Sequence, residues 1–105
     1  MSIENVGRQP WLGVEFRHLA ALAAIAEEGS FNAAANRLGY VQSAVSQQIA
    51  ALERAIGARV IERTRGSRSL ALSSAGEVLL EHSEEILARL ALAWADVEAL
   101  DDERA

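Results

Sequence analysis

The stretch from Gly29 to Gly57 constrains the fold of this chain more than any other part of the sequence. Glycine stands at both of its ends, and Gly39 divides it into a shorter and a longer segment. Apolar residues recur at intervals of three or four in each segment, which is the period of a helix with one buried face. Because glycine readily adopts the backbone angles of a sharp reversal, the stretch predicts two helices joined by a tight turn.

The two predicted helices carry separate signals for their ends and their buried faces. Ser30 is placed to cap the short helix, and Gly39 with Tyr40 makes the break. The buried side of the short helix contains Phe31, Ala34, Ala35 and Leu38. The longer helix is predicted over residues 42–56, and its buried side contains Val45, Ile49, Leu52 and Ile56.

The start of the longer helix presents small polar side chains on the face opposite to its apolar one. These residues are Gln42, Ser43, Ser46 and Gln47. Side chains that both donate and accept hydrogen bonds match the base edges in a DNA major groove. The pattern is typical of a helix-turn-helix, in which Asn32 and Arg37 on the short helix would lie near the phosphate backbone. Considered alone, the same residues also fit an ordinary solvated helix surface.

The region from about Glu15 to Leu100 strongly resembles the DNA-binding region of the LysR-type transcriptional regulators. Four motifs occur in the family's order and at its spacing, and together they are far more specific than any one of them. They are GSF with AA and RL in Gly29–Leu38, QSAVSQQI with LE in Gln42–Glu53, the pair Glu62–Arg63, and AGE in Ala75–Glu77. The resemblance implies a winged helix-turn-helix that binds DNA.

Two residues depart from the pattern of the family. Val41 precedes the reading helix where relatives usually have Ser or Thr, so a capping hydroxyl and one phosphate contact are missing. Gln47 stands where many relatives carry arginine. Because glutamine pairs best with adenine and arginine with guanine, the preferred DNA site should differ accordingly.

The net charge of −5 is unusual for a DNA-binding chain until it is divided along the sequence. Residues 16–72 contain seven Arg and four Glu, a net charge of +3. Residues 73–105 contain two Arg and nine acidic residues, a net charge of −7. We therefore expect the first part to face phosphate and the second part to point away from it.

A hairpin is predicted after Gly57. Residues 59–63 and 68–72 read as two short strands with charged flanks, and Gly66 with Ser67 supplies the turn. The basic tip carries Arg63, Arg65 and Arg68, which are candidates for contact with phosphate or with a narrow minor groove. Relative to the family the hairpin is about two residues longer, and Arg68 is our choice for the groove contact. A solvated charged hairpin is the alternative.

The N-terminal part of the chain is predicted to be an extension followed by one helix. Pro10 and two glycines disfavour regular structure over residues 1–14, which we expect to be flexible, with Trp11 as the one anchor. The helix should span Glu15 to Glu28. Its inner face would contain Phe16, Leu19, Leu22, Ala23 and Ala26. The two histidines, His18 and His82, fall on different helices, so we expect packing or surface roles and no metal site.

The last predicted element is a helix from about Ser73 to Leu100, capped by Ser73 or by Ser74 in a capping box with Glu77. Its apolar stripe is wider and longer than a small domain can cover, which indicates a partner helix. The residues expected to meet the partner are Leu79, Ile86, Leu90, Trp94 and Val97. The resemblance implies a homodimer through this helix, with further oligomerisation in a longer form. In relatives an effector-binding domain follows, so no small-molecule effector is expected on these residues.

These observations predict a mainly α-helical winged helix-turn-helix with a two-stranded wing and a long dimerisation helix. The expected units are the extension 1–14, the DNA-binding domain 15–72 and the linker helix 73–105. We expect a sequence-specific regulator of transcription that binds a two-fold site in double-stranded DNA as a homodimer. A dimerising adaptor without a DNA role is the competing hypothesis.

Other classes of protein are disfavoured by composition. The chain has no cysteine, which excludes a disulfide framework and a thiolate metal site. It carries no arrangement of residues typical of an enzyme, and we expect no cofactor. It has neither the pattern of a signal peptide nor an apolar run long enough to span a membrane. A cytoplasmic location is the expectation.

Overall fold

The computed structural model describes residues 10–62 and 70–104, which form four α-helices and one two-stranded antiparallel sheet. The elements in chain order are a 3-10 turn Pro10–Gly13, which we call the N-terminal turn, α1 Phe16–Glu28, α2 Phe31–Leu38, α3 Gln42–Ile56, β1 Ile61–Glu62, β2 Ala71–Leu72 and α4 Ser74–Arg104. In the sheet Ile61 pairs with Leu72 and Glu62 with Ala71. The predicted fold class is confirmed.

Helix α1 lies at the centre of the molecule and contacts α2, α3 and α4. Its residues Ala21, Leu22 and Ile25 are fully buried. Small alanine side chains let neighbouring helices approach closely, and the larger side chains of those helices fill the space between them. The rest of the core comes mainly from Ala34, Ala35, Val45, Ile49, Leu52, Val60 and Ile61.

The predicted short helix and reading helix are both present. The hydroxyl oxygen of Ser30 accepts a hydrogen bond from the backbone N–H of Ala33 at 3.0 Å, so the predicted cap is confirmed. Gly39 follows α2 with a φ of 76° and Gly57 follows α3 with a φ of 73°. Both angles lie in the left-handed region, where a side chain would be strained.

The inner face of α1 differs from the prediction. Helix α1 begins at Phe16, with Glu15 as its capping residue, and Phe16 is 54% exposed rather than buried. Phe16 lies at the edge of the apolar face in the first turn, where it borders a groove against α4. His18 takes a buried place instead, and its Nδ1 accepts a hydrogen bond from the backbone N–H of Glu15 at 3.0 Å. Ala26 is half-buried.

The cap of α4 is Ser73, and the predicted capping box of Ser74 with Glu77 is wrong. The Ser73 hydroxyl accepts a hydrogen bond from the backbone N–H of Gly76 at 2.9 Å. The backbone N–H of Ser73 also donates to the carbonyl oxygen of Val60 at 2.9 Å. This second bond connects the start of α4 to the residue before β1. It holds the backbone of Ser73 in the position from which its hydroxyl caps the helix.

Only the first part of α4 packs on its own domain. Leu79 and Ser83 are buried, and the Ser83 hydroxyl donates to the Leu79 carbonyl oxygen at 2.7 Å. From residue 88 to residue 101 every side chain is exposed. Neither α4 nor any other helix in the described part of the chain has the length and apolarity to cross a membrane.

Within the described residues the wing pairs over two residues on each side, Ile61 with Leu72 and Glu62 with Ala71. Residues 59, 60 and 70, which belong to the predicted strands 59–63 and 68–72, lie outside these strands. Val60 is buried in the core just before β1, and its carbonyl oxygen accepts the hydrogen bond from the Ser73 backbone N–H that follows the Ile61–Leu72 pair. Arg63, Arg65 and Arg68 lie outside the described residues, and their predicted roles stay predictions.

Gly76 allows the start of α4 to approach the backbone before β1. A β-carbon at this position would overlap the carbonyl oxygen of Val60 and lie 3.0 Å from its carbonyl carbon. Backbone atoms have little freedom to move away in a packed domain. Gly76 explains in physical terms why the AGE motif has glycine at its centre.

We expect Gly76→Ala to lower the free energy of unfolding by about 1–3 kcal/mol, as overpacking does in a core. At an unobstructed helical position the same change would raise the free energy of unfolding by roughly 0.5–1 kcal/mol. The sign of the measured change therefore decides whether the close approach to Val60 exists. Gly13→Ala is the control, because its β-carbon would meet the Ala55 β-carbon at an ordinary 3.9 Å. Urea titrations of both variants measure the effect, and a stabilised Gly76→Ala protein would contradict the close approach.

Candidate nucleic-acid interface

The start of α3 presents the polar face that the sequence predicts. Gln42, Ser43 and Gln47 are exposed, and Ser46 is half-buried at the edge of the same surface. On the opposite side of this helix Val45 is fully buried against the core. The backbone is therefore held firmly while the polar side chains face solvent, which is the requirement for reading base edges.

The N-terminus of α3 lacks a side-chain cap. Val41 occupies the capping position with extended backbone angles, and its side chain makes no capping hydrogen bond and is 68% exposed. The first helical bonds run from the backbone N–H groups of Ala44 and Val45 to the carbonyl oxygen of Val41, at 3.0 and 3.3 Å. The N–H groups of Gln42 and Ser43 precede this ladder, and such a helix end favours an anion like phosphate.

Helix α2 supplies the two residues predicted to face the phosphate backbone. Asn32 and Arg37 are both exposed. The Arg37 guanidinium pairs with the carboxylate of Glu27 and lies 3.5 Å from that of Glu28. The hydrogen bond to Glu27 raises the pKa of Arg37 above its usual range. A phosphate that binds Arg37 would therefore compete with these two carboxylates for the guanidinium.

Glu53 has a structural role that we did not assign from the sequence. Its Oε2 accepts hydrogen bonds from the backbone N–H of Val60 at 2.8 Å and, more weakly, from that of Ile61 at 3.5 Å. These bonds join α3 to the start of β1 and so fix the sheet relative to the reading helix. The signal in the sequence is an acidic residue that directly follows the buried Leu52, within the LE motif.

The residues predicted to form a dimer lie apart from the reading face, on α4. Ile86, Leu90, Trp94 and Val97 are exposed and form one apolar stripe. The prediction that Leu79 meets a partner chain is wrong. Leu79 is only 6% exposed and packs in the core of its own chain. The helical period places Leu79 on the stripe, but the first turns of α4 bury it against α1.

No metal-binding cluster of three His, Cys, Asp or Glu side chains occurs in residues 10–62 and 70–104. His18 is buried in α1, and His82 is exposed on α4. Burial lowers the pKa of His18 below its ordinary value, which favours the neutral ring that accepts the bond from Glu15.

The fold and the exposed face of α3 define the class of winged helix-turn-helix proteins. Within this class the chain belongs to the LysR family, because residues 16–77 match the family of bacterial regulatory helix-turn-helix proteins of the lysR type. One relative is the uncharacterised HTH-type transcriptional regulator YnfL of Escherichia coli strain K12. It is 45% identical over 89 residues, which are 85% of this chain and 29% of that protein. The chain thus spans less than a third of the length of this relative.

Solved structures give the same family. The chain is similar to a crystal structure of the CbnR DBD–DNA complex, with a TM-score of 0.73 and 35% identity over 82% of this chain and 97% of that one. It is also similar to a crystal structure of a BenM DBD with catB site 1 DNA. The TM-score there is 0.78 with 28% identity, over 87% of this chain and 96% of that one.

We expect Val41→Thr to raise the free energy of unfolding by about 0.5–1 kcal/mol, because threonine has nearly the shape of valine and supplies the missing capping oxygen. Ser30→Val is the matched reverse change at a cap that is present, and it should lower stability by about 1 kcal/mol. Thermal unfolding followed by circular dichroism measures both. A lower melting temperature for Val41→Thr would mean that the valine side chain stabilises this helix end.

Proposed function

We propose that this chain is the DNA-binding part of a LysR-type transcriptional regulator and binds double-stranded DNA with α3 in the major groove. The observation that carries the proposal is the exposed polar face at the start of α3, directly opposite to a fully buried anchor at Val45. The similarity to two DBD structures described with DNA, across more than four fifths of this chain, supports it.

Base reading is assigned to the first two turns of α3. Gln42 and Gln47 offer an amide group that can donate to and accept from adenine at once, and Ser43 and Ser46 offer shorter hydroxyl contacts. The N-terminus of a recognition helix is also the end that enters the groove in helix-turn-helix proteins. These four residues are therefore the proposed contacts to base edges.

Backbone contacts come from three other parts of the domain. The uncapped end of α3 can receive one phosphate. Asn32 and Arg37 on α2 can bind another, in competition with Glu27 and Glu28 for the Arg37 guanidinium. The arginines predicted at the wing tip, Arg63, Arg65 and Arg68, complete the proposed set. Such contacts orient a protein on DNA and carry no sequence information themselves.

The proposed functional unit is a homodimer formed through α4. One reading helix covers only a few base pairs, so two copies at fixed spacing are needed for useful specificity. The exposed apolar stripe with Ile86, Leu90 and Val97 supplies the surface for this pairing. The acidic charge of residues 73–105 also fits this arrangement, because it lies away from the part that faces the phosphates.

The remaining predictions extend this proposal to the whole chain. We propose residues 15–72 as the DNA-binding unit and residues 73–105 as the dimerisation helix. A regulator that binds bacterial DNA would act in the cytoplasm, and no reaction is assigned to it. The competing adaptor hypothesis requires that the face of α3 contact no DNA at all.

We expect Gln47→Ala to weaken binding to the preferred duplex by about 1–3 kcal/mol and to relax base preference at one position. The duplex would be identified by in-vitro selection with the unaltered chain, and affinities measured by fluorescence anisotropy. Gln48→Ala is the matched control on the same helix, because Gln48 is half-buried at the edge of the packing face. An equal loss on selected and scrambled duplexes would remove Gln47 from the reading set, and no binding of the unaltered chain would favour the adaptor.

We expect Leu90→Asp to give a monomer whose domain remains folded and whose specific DNA binding is largely lost. Burying the unpaired carboxylate in the apolar seam would cost on the order of several kcal/mol of desolvation free energy, which disfavours the dimer. Leu92→Asp is the matched control, because Leu92 is exposed on the same helix but lies away from the stripe. Light scattering and circular dichroism on one sample decide the outcome. A dimeric Leu90→Asp protein would contradict the placement of the interface.

A further inference from the structure

An apolar groove with a volume of about 840 Å³ runs between the N-terminal turn and the first turns of α4. Trp11 and Phe16 form one wall, and Val78, His82 and Ile86 form the other. Trp11 is 51% exposed, and Phe16 is exposed to a similar extent. Two large aromatic side chains are thus left half in water beside an apolar trough, which favours an occupant that removes them from solvent.

The groove is continuous with the exposed stripe of α4. Phe16 and Ile86 also border a second, smaller depression of about 340 Å³, which extends to Leu90 and Ala93. The two depressions therefore form one apolar surface that begins at Trp11 and runs outward along the helix. An occupant that covers Leu90 is already in position to cover the groove.

The aromatic wall at Trp11 is an addition to the part of the chain that matches the family. That match begins at residue 16 and ends at residue 77. The N-terminal turn lies before it, and it is held in place by contacts with α3. Trp11 is therefore presented on an anchored turn.

We infer that the N-terminal turn is a second part of the dimer interface, with Trp11 covering the outer end of α4 from a second copy of this chain. The inference rests on the proposed homodimer and goes beyond it, because it assigns the groove its occupant. The occupant is the segment of α4 around Val97 and Leu100, which is exposed in a single chain.

An antiparallel pairing of the two α4 helices satisfies both surfaces at once. The groove borders the inner half of α4, whereas the uncovered apolar residues lie on its outer half. In a parallel pair the two grooves would face each other with nothing to fill them. In an antiparallel pair the outer half of each α4 lies on the groove of the other chain. Both chains then contribute the same surface to the interface, as a two-fold axis requires.

The register follows from the stripe. A two-fold axis between Leu90 and Ala93 sets Ile86 opposite Val97 of the second copy.

The fluorescence of Trp11 tests the inference directly, because the chain has only two tryptophans. In a Trp94→Phe background Trp11 is the single emitter. We expect its emission to shift to shorter wavelength in the dimer and to return on dilution. The same background carrying Leu90→Asp gives the emission of the monomer. Unchanged Trp11 emission in a sample that light scattering reports as dimeric would overturn the inference and leave the homodimer standing.

The contribution of Trp11 to dimer formation is measured with the single variant Trp11→Ala, in which Trp94 is kept. We expect its dimer dissociation constant, from sedimentation equilibrium, to rise about thirtyfold, as for an aromatic side chain that becomes buried in an interface. Leu12→Ala is the matched control, because Leu12 is exposed on the same turn but does not border the groove. Circular dichroism checks that both variants keep the fold.

The possible outcomes separate the two proposals. An unaltered chain that stays monomeric at micromolar concentration would overturn the homodimer and the inference together. A dimer whose dissociation constant is the same for Trp11→Ala and Leu12→Ala would overturn only the role of the N-terminal turn. If a small apolar molecule were the occupant, Trp11→Ala would leave the dimer dissociation constant unchanged. That result would also overturn the role of the N-terminal turn in the dimer interface.

Discussion

The packing of α1 against the three other helices is the interaction on which the rest of the structure depends. Ala21, Leu22 and Ile25 are buried at the meeting point of these helices. Because alanine allows close approach, α2 and α3 sit in a fixed relation to each other, and the polar start of α3 is turned outward. The same core holds the first turns of α4, so one set of contacts positions both the proposed reading face and the proposed dimerisation helix.

The reading helix could be predicted from the sequence because its signals are local. Its apolar spacing, the glycines at its ends and the serine cap of the preceding helix all act within a few residues. The absence of a cap at Val41 was equally visible, since a cap depends on one side chain. The exposed face with Gln42 and Gln47 then follows from the periodicity alone.

The features that the sequence did not reveal depend on contacts between distant segments. Ser73 rather than Ser74 caps α4 because the carbonyl oxygen of Val60 holds its backbone. Periodicity placed Phe16 inside and Leu79 on the dimer stripe, yet Phe16 is exposed and Leu79 is buried. A helical period identifies an apolar face, but it does not say which neighbour covers each part of that face. The bond from Val60 to Glu53 was missed for the same reason.

The two proposed interfaces depend on each other, because the spacing of the reading helices is set by the pairing of α4. A hydroxyl-radical footprint on a selected DNA site measures this geometry most directly. We expect two protected segments related by a two-fold axis, with centres about ten base pairs or a multiple of that apart. A single short protected segment would contradict the paired arrangement, and an unprotected duplex at saturating protein would contradict DNA recognition by α3.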